Sequence, residues 1–296
     1  MHRIGAKFQS DRKRPLQHYR SVGLGMKNSQ KVALVTGASS GIGKATAKRL
    51  AQSGYRVFGT CRHPGEKSEP GVEMISMDAD NDGSVSAAVK YVIASAGGLD
   101  AVINNAGWAL NGPIEETSIA EARALMETNF FGVLRVCREV LPILRERRRG
   151  HIINISSLSG TFGTPFSGLY SASKFAVEGL SEALSLETRR MGISVSLVEP
   201  GDIDTQLPVN RRYTKASQKD GPYAQVYKRY LENQAKDETN ALGPEAVASV
   251  VLKILRSPRP RMRYSVAKVG QRIVIPLKRF TPYRLFEWIV ATAVGL

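Results

Sequence analysis

The chain has 296 residues, 42% hydrophobic and 23% charged, which is an ordinary globular composition for one large core or two small ones. Its two cysteines, Cys61 and Cys137, exclude a disulfide framework and a zinc-ligand spacing, so both read as small core residues in a reducing, cytoplasmic setting. The net charge of +16 sits at the ends, +6 over residues 1–30 and +9 over 253–296 against +1 between them, which points to an anionic surface or acidic partner and not to nucleic acid, for which no motif is present.

Residues 1–30 contain no apolar run, which argues against a secretory signal and for a basic, disordered extension. "KVALV" (31–35) reads as a buried strand running into the turn "TGASSGIG". Residues 42–54 have helical period and stop at Gly54. "YRVFGT" (55–60) and "VEMISM" (72–77) read as strands, "SVSAAVKYVIASAGG" as a helix, and "DAVINNAG" as a strand entering a turn. A long helix is expected from about Ile119 to Arg147, a strand at "HIINISS" (151–157), a helix over Leu169–Met191 and a strand at "ISVSLVEPG" (193–201). Apolar strands alternating with helices predict an α/β, Rossmann-like doubly wound parallel sheet, a single domain over 31–266. Residues 206–240 are polar and long for a loop, and a mobile lid is expected there. No apolar run reaches 18 residues, so no membrane span is expected. The tail over 267–296 is basic, then aromatic and aliphatic. It reads either as an interfacial helix making peripheral membrane contact or as a segment packed on the protein or a second subunit.

In such sheets ligands bind beyond the carboxyl ends of the strands. After the first strand, Gly37, Gly41 and Gly43, with Ser39, Ser40 and Ile42, form a turn into a helix N-terminus, where free N–H groups and the helix dipole suit a pyrophosphate. No Asp or Glu occurs from Lys31 to Gly65 to hold a ribose 2′-hydroxyl. Arg62 stands instead where a 2′-phosphate would lie, with Lys44 and Ser39 near, so NADP(H) is expected over NAD(H); the alternative is a plain surface arginine. Asp78, ending the third strand, is expected to accept from the adenine amino group; for Asp80 a cap on the following helix is nearly as strong a reading as that contact.

"LYSASKF" carries Tyr170 and Lys174 at i and i+4, on one helix face. A free tyrosine titrates near pH 10, and a nearby cation favours the phenolate. The pair therefore reads either as part of a solvated face or as a general acid/base, Tyr170, tuned by Lys174.

The ordered motifs "TGASSGIG", "NNAG", "TNFFG", "NISS", "YSASK" and "PGDIDT" resemble the short-chain dehydrogenase/reductase family, closely over 31–205 and loosely beyond. The resemblance implies carbonyl–alcohol interconversion with catalytic Ser157, Tyr170, Lys174 and Asn129, and no metal. Ser157, thirteen positions before the tyrosine, is selected over its rivals Ser156 and Ser159, and Asn129 is expected to hold a proton-relay water. Asn105, Ala106 and Gly107 are implied to shape the cofactor floor, and Pro200, Gly201, Ile203 and Thr205 to contact the nicotinamide. Homodimers or homotetramers are the family's usual assemblies. The hydroxysteroid and retinol dehydrogenase branch is the most similar, which implies a lipophilic small-molecule substrate. Its expected lining is Ser157, Tyr170, Phe162 and Phe166, with Trp108, Leu110, Pro165 and the loop after Thr205, where Arg211 and Arg212 are candidates for an anionic group. A 3-oxoacyl-thioester reductase and a non-catalytic NADPH-binding or membrane scaffold stand as alternatives.

Overall fold

A computed structural model describes residues 30–65, 69–204, 211–218, 221–238, 241–293 and 296. The basic stretch 1–29 and Thr205 lie outside the described residues. In chain order the elements are β1 (Val32–Thr36), α1 (Gly41–Gln52), β2 (Arg56–Cys61), β3 (Val72–Ser76), α2 (Asp82–Ala96), β4 (Ala101–Asn104), β5 (Ala109–Asn111), α3 (Ile119–Met126), α4 (Gly132–Arg147), β6 (Gly150–Ile155), α5 (Gly168–Thr188), β7 (Ile193–Pro200), β8 (Arg211–Tyr213), α6 (Ala224–Glu238), α7 (Pro244–Arg256), β9 (Arg263–Val266), α8 (Val269–Phe280) and α9 (Tyr283–Ala293).

The side chains of β1 alternate between two cores, as a strand covered on both faces must. Leu34 joins Phe58, Val102, Ile152 and Leu197 under α2, α4 and α5, through Val85, Val136 and Val177. Ala33 and Val35 join Val57, Ile103, Ile153 and Val198 under α1 and α7, through Leu50, Val247 and Val251. The seven strands are all parallel, in the order β3-β2-β1-β4-β6-β7-β9. The order reverses between β1 and β4, which opens a crevice above their carboxyl ends. β5 and β8 pair separately, Ala109 against Arg211 and Asn111 against Tyr213.

Several elements differ from the sequence reading. The helix expected over Ile119–Arg147 is interrupted by a π-type turn, Glu127–Phe131, between α3 and α4. One extra residue in the turn directs Asn129 inward, where it is buried. Asn81, not Asp80, caps α2, its side chain accepting from Ser84 N at 2.8 Å; Asp80 instead accepts from the Thr128 hydroxyl at 3.0 Å. The stretch expected to be a lid contains β8 and the helix α6. β9, a seventh strand of this sheet, lies where the sequence pattern predicts none. Among the described residues no helix is long and apolar enough to cross a membrane.

Candidate active site

The crevice is a cleft of about 770 Å³ that runs from Arg62 and Asp78, past the glycine turn, to Tyr170 and Lys174. Gly37 and Gly41 have φ of +65° and +50°, a region where a side chain would strain the backbone. At Gly43 a Cβ would lie 2.1 Å from the Gly37 carbonyl oxygen, so α1 starts against its own preceding turn. Asn105 braces this turn from β4: its Nδ2 donates to the carbonyls of Thr36 at 2.9 Å and Gly37 at 3.0 Å, while its backbone N–H, with that of Ala106, donates to Thr36 Oγ1. Gly41 and Gly43 shape the turn without lining the cleft; Gly37, Ser39, Ser40 and Ile42 line it, as do Asn105, Ala106 and Gly107.

Arg62 and His63 follow β2 at the outer end of the cleft, with Asp78 and Asp80 across from them. Lys44 takes no part there: its Nζ is 3.1 Å from Glu69, which Lys48 also approaches at 3.5 Å. Cys61 is half-buried at the cleft wall and not a core residue, and burial pushes its thiol up. Cys137 is a core residue, its thiol pushed up to about 12 by burial.

At the inner end the three expected groups converge. Ser157 follows β6, with its hydroxyl 3.4 Å from the Pro200 carbonyl and facing the Tyr170 phenol. Its rivals point elsewhere. Ser156 is buried and turned toward Glu178, and Ser159 Oγ lies 3.3 Å from Thr164 Oγ1. Tyr170 and Lys174 share a face of α5, with Lys174 Nζ 5.7 Å from the phenol ring centre. Lys174 is 6% exposed and donates to the Ile155 carbonyl at 2.9 Å. Burial lowers its pKa to about 8, against the opposing pull of the Glu178 carboxylate. The expectation that Lys174 depresses Tyr170 does not hold in this structure. Burial raises the Tyr170 pKa, and the groups that offset it are Ser157 and Arg211. The ammonium donates to the β6 carbonyl while lying over the phenol ring.

Asn129 stands behind the cleft and does not line it. Its Oδ1 accepts from Trp108 N at 3.0 Å, and its Nδ2 donates to Trp108 O at 2.9 Å and Ser173 Oγ at 3.0 Å. Its side chain thus clamps the segment after β4 to α5.

Pro200, Gly201 and Ile203, expected at the nicotinamide, line the cleft. Beyond them the expected substrate lining divides. Phe162, Trp108, Arg211 and Arg212 line the cleft, with Arg212 stacked 4.4 Å over the Trp108 ring. Phe166, Pro165 and Leu110 do not. Phe166 has φ +56° and packs its ring 5.1 Å from both Tyr227 and Tyr230 of α6, and Leu110 is in the core. Two groups were missed by sequence reasoning. One is a polar wall in which Asn111 Nδ2 donates to Gln234 at 3.1 Å, and Ser167 Oγ reaches Asn111 at 3.1 Å and Tyr230 at 3.2 Å. The other is an apolar wall from the tail, Val274, Ile289 and Val290. No local signal marks either, because both are brought in by α6, α8 and α9 from far along the chain.

The glycine cradle, the elongated cleft and the buried lysine fit a nicotinamide dinucleotide. No cluster of His, Cys, Asp and Glu suited to a metal occurs among the described residues. A model of the short chain dehydrogenases matches residues 31–216. The chain belongs to the short-chain dehydrogenase family. As a family member it is an oxidoreductase acting on CH–OH groups with a nicotinamide cofactor. A 3-ketodihydrosphingosine reductase of Bacteroides thetaiotaomicron is 41% identical over 257 residues, spanning 87% of this chain and 95% of that protein. Retinol dehydrogenase 8 of Bos taurus is 34% identical, spanning 80% and 82%. The crystal structure of a short-chain dehydrogenase from Streptomyces avermitilis superposes with a TM-score of 0.78 at 31% identity, covering 90% of this chain and 98% of the other.

Proposed function

We propose that this dehydrogenase uses NADP(H) to interconvert a carbonyl and an alcohol on a lipophilic small molecule with a polar head. The observation that carries the reading is the two-sided cleft beside Tyr170, polar along Asn111, Ser167, Tyr230 and Gln234 and apolar along Phe162, Val274, Ile289 and Val290. A substrate with a polar end and an apolar body satisfies both walls, whereas either kind alone leaves one wall mismatched. The names of the Bacteroides and Bos taurus relatives, with a long-chain keto base and a retinoid as substrates, support the same class. Arg62 at the end of β2, with Glu69 paired to Lys44 and Lys48, supports NADP(H) over NAD(H).

Bound cofactor supplies hydride to the carbonyl carbon. Ser157 donates a hydrogen bond to the carbonyl oxygen as negative charge develops there. The Tyr170 phenol, kept protonated by burial, gives its proton to that oxygen. Lys174, anchored on the Ile155 carbonyl beside Tyr170, would hold the ribose hydroxyls. Asn129 fixes Trp108 and α5 about these groups. Assembly as a homodimer or homotetramer and a cytoplasmic setting belong to the same reading.

The test is NADPH oxidation with long-chain 3-keto bases, steroid and retinoid carbonyls, short water-soluble ketones and 3-oxoacyl thioesters, each beside Tyr170→Phe. Turnover of an amphipathic lipid carbonyl that vanishes in the variant upholds the reading. Preference for the thioesters or for the short ketones overturns it.

A further inference from the structure

α8 and α9 are two-sided. On α8, Gln271 and Val274 line the cleft, Gln271 donates to Asp202, and Lys278 donates to the Thr161 carbonyl at 2.6 Å. Val269, Ile273 and Phe280 fall at helical spacing on the other side and are 73%, 49% and 79% exposed. α9 repeats the pattern. Phe286 is buried edge-on against Phe162, with Ile289 and Val290 at the cleft, while Arg284, Leu285 and Trp288 face away. Of the fourteen large apolar side chains exposed among the described residues, seven lie between Val269 and Leu296. Such a concentration at one end of the chain marks an interaction surface.

Charge selects the partner. Residues 267–296 carry Lys268, Arg272, Lys278, Arg279 and Arg284 against Glu287 alone. Two copies meeting through this surface would bring like charges together, whereas an anionic lipid surface complements them. Aromatic residues beside arginines, here Phe280 after Arg279 and Tyr283 before Arg284, with Trp288 one helical turn beyond Arg284, match the boundary between headgroups and acyl chains.

We infer that α8 and α9 dock the enzyme on an anionic lipid bilayer through their outer faces, and that the cleft walled by their inner faces receives its substrate from that bilayer. The second clause rests on the lipophilic substrate proposed above; the first does not. Docking places the apolar wall of the cleft, Val274, Ile289 and Val290, one helix thickness from the acyl region. A lipid carbonyl then reaches Tyr170 without crossing water.

The experiment uses the full chain and sedimentation with vesicles of phosphatidylcholine alone or with phosphatidylglycerol added. Binding is expected only with the anionic lipid, weakening as salt is raised. The triple variant R272Q/R279Q/R284Q should bind about 100-fold more weakly, since each basic residue near the surface contributes to attraction. Phe280→Ser with Trp288→Ser should lose binding while keeping the wild-type rate on a short water-soluble carbonyl. With vesicle-embedded substrate, the same variants should lose most of their turnover. In a Trp108→Phe background, Trp288 fluorescence should shift to the blue and be quenched by brominated acyl chains. Absence of vesicle binding at low salt, or binding unaffected by either set of variants, overturns the docking. A Phe280/Trp288 variant that changes the oligomeric state but not vesicle binding also overturns it, making the surface a contact between copies. Docking with equal turnover of free and embedded substrate overturns delivery alone. Docking with no lipid carbonyl turned over at all identifies the substrate reading as the failure.

Discussion

Replacing Arg263 with Met should make the stability of the fold fall as pH rises. Arg263 on β9 binds Glu178, Glu199 at 2.7 Å and Glu182 at 2.6 Å. Glu178 and Glu199 are 5% and 2% exposed, so the substitution keeps the apolar stem but strands two buried carboxylates. Breaking a buried pair costs about 3–5 kcal/mol. Arg263 is 38% exposed, and Ser265 still donates to Glu199 at 2.8 Å, so screening and the remaining bond reduce this to about 2–3 kcal/mol at pH 8. Burial already holds the Glu178 pKa above its ordinary value, and Arg263 is among the groups that pull it down. Without Arg263 the folded value rises further. A carboxyl whose folded pKa exceeds its unfolded one binds its proton more tightly when folded. The protonated group carries no unpaired charge, so the penalty is absent below the unfolded value of about 4.5 and grows as pH climbs through the folded one. Melting followed by circular dichroism should therefore show R263M about 4–12 °C below wild type at pH 8, and a much smaller deficit at pH 5. An equal deficit at both pH values, or none at either, would refute the account of this cluster.

The same cluster bears on catalysis. Glu178→Gln removes the carboxylate that opposes the depression of Lys174, so the alkaline limb of kcat/KM, which follows loss of the lysine cation near pH 8, should move to lower pH. A limb that stays in place or moves up counts against the role given to Lys174. Arg62→Ala should lower kcat/KM with NADPH by about 10–100-fold and leave NADH nearly unchanged, the scale of lost charge-assisted hydrogen bonds. Equal losses with both cofactors would remove the 2′-phosphate assignment. Gly43→Ala forces a Cβ to within 2.1 Å of the Gly37 carbonyl oxygen and 2.4 Å of Asn105 Nδ2. NADPH affinity, read by the fluorescence of the bound nicotinamide, should drop by about 30-fold or more, the cost of overpacking a fixed turn. Unchanged affinity would show that the turn yields without consequence.

Chemistry that depends on short separations was legible in the chain alone. A strand, a glycine turn and a helix follow one another within a dozen residues, so the cradle is set by local backbone freedom and helix geometry. Tyr170 and Lys174 share a face because 3.6 residues make a turn. The alternating cores of β1 follow from the pleat, and the apolar strands announced a sheet covered on both sides. Tertiary structure decided everything that depends on where distant segments return. It turned Asn129 into a clamp through an extra residue in a helical turn, and gave the α2 cap to Asn81 and not Asp80. It engaged Lys44 with Glu69, withdrew Phe166 into a cluster with Tyr227 and Tyr230, and aimed the Lys174 ammonium at Ile155. It also brought the tail back over the cleft, where Phe286 meets Phe162 across more than a hundred residues of chain. An amphipathic segment declares that it has an apolar face but not what that face will cover. That choice belongs to the packing of the whole chain, because apolar burial is non-directional and settles only when every competing surface is in place.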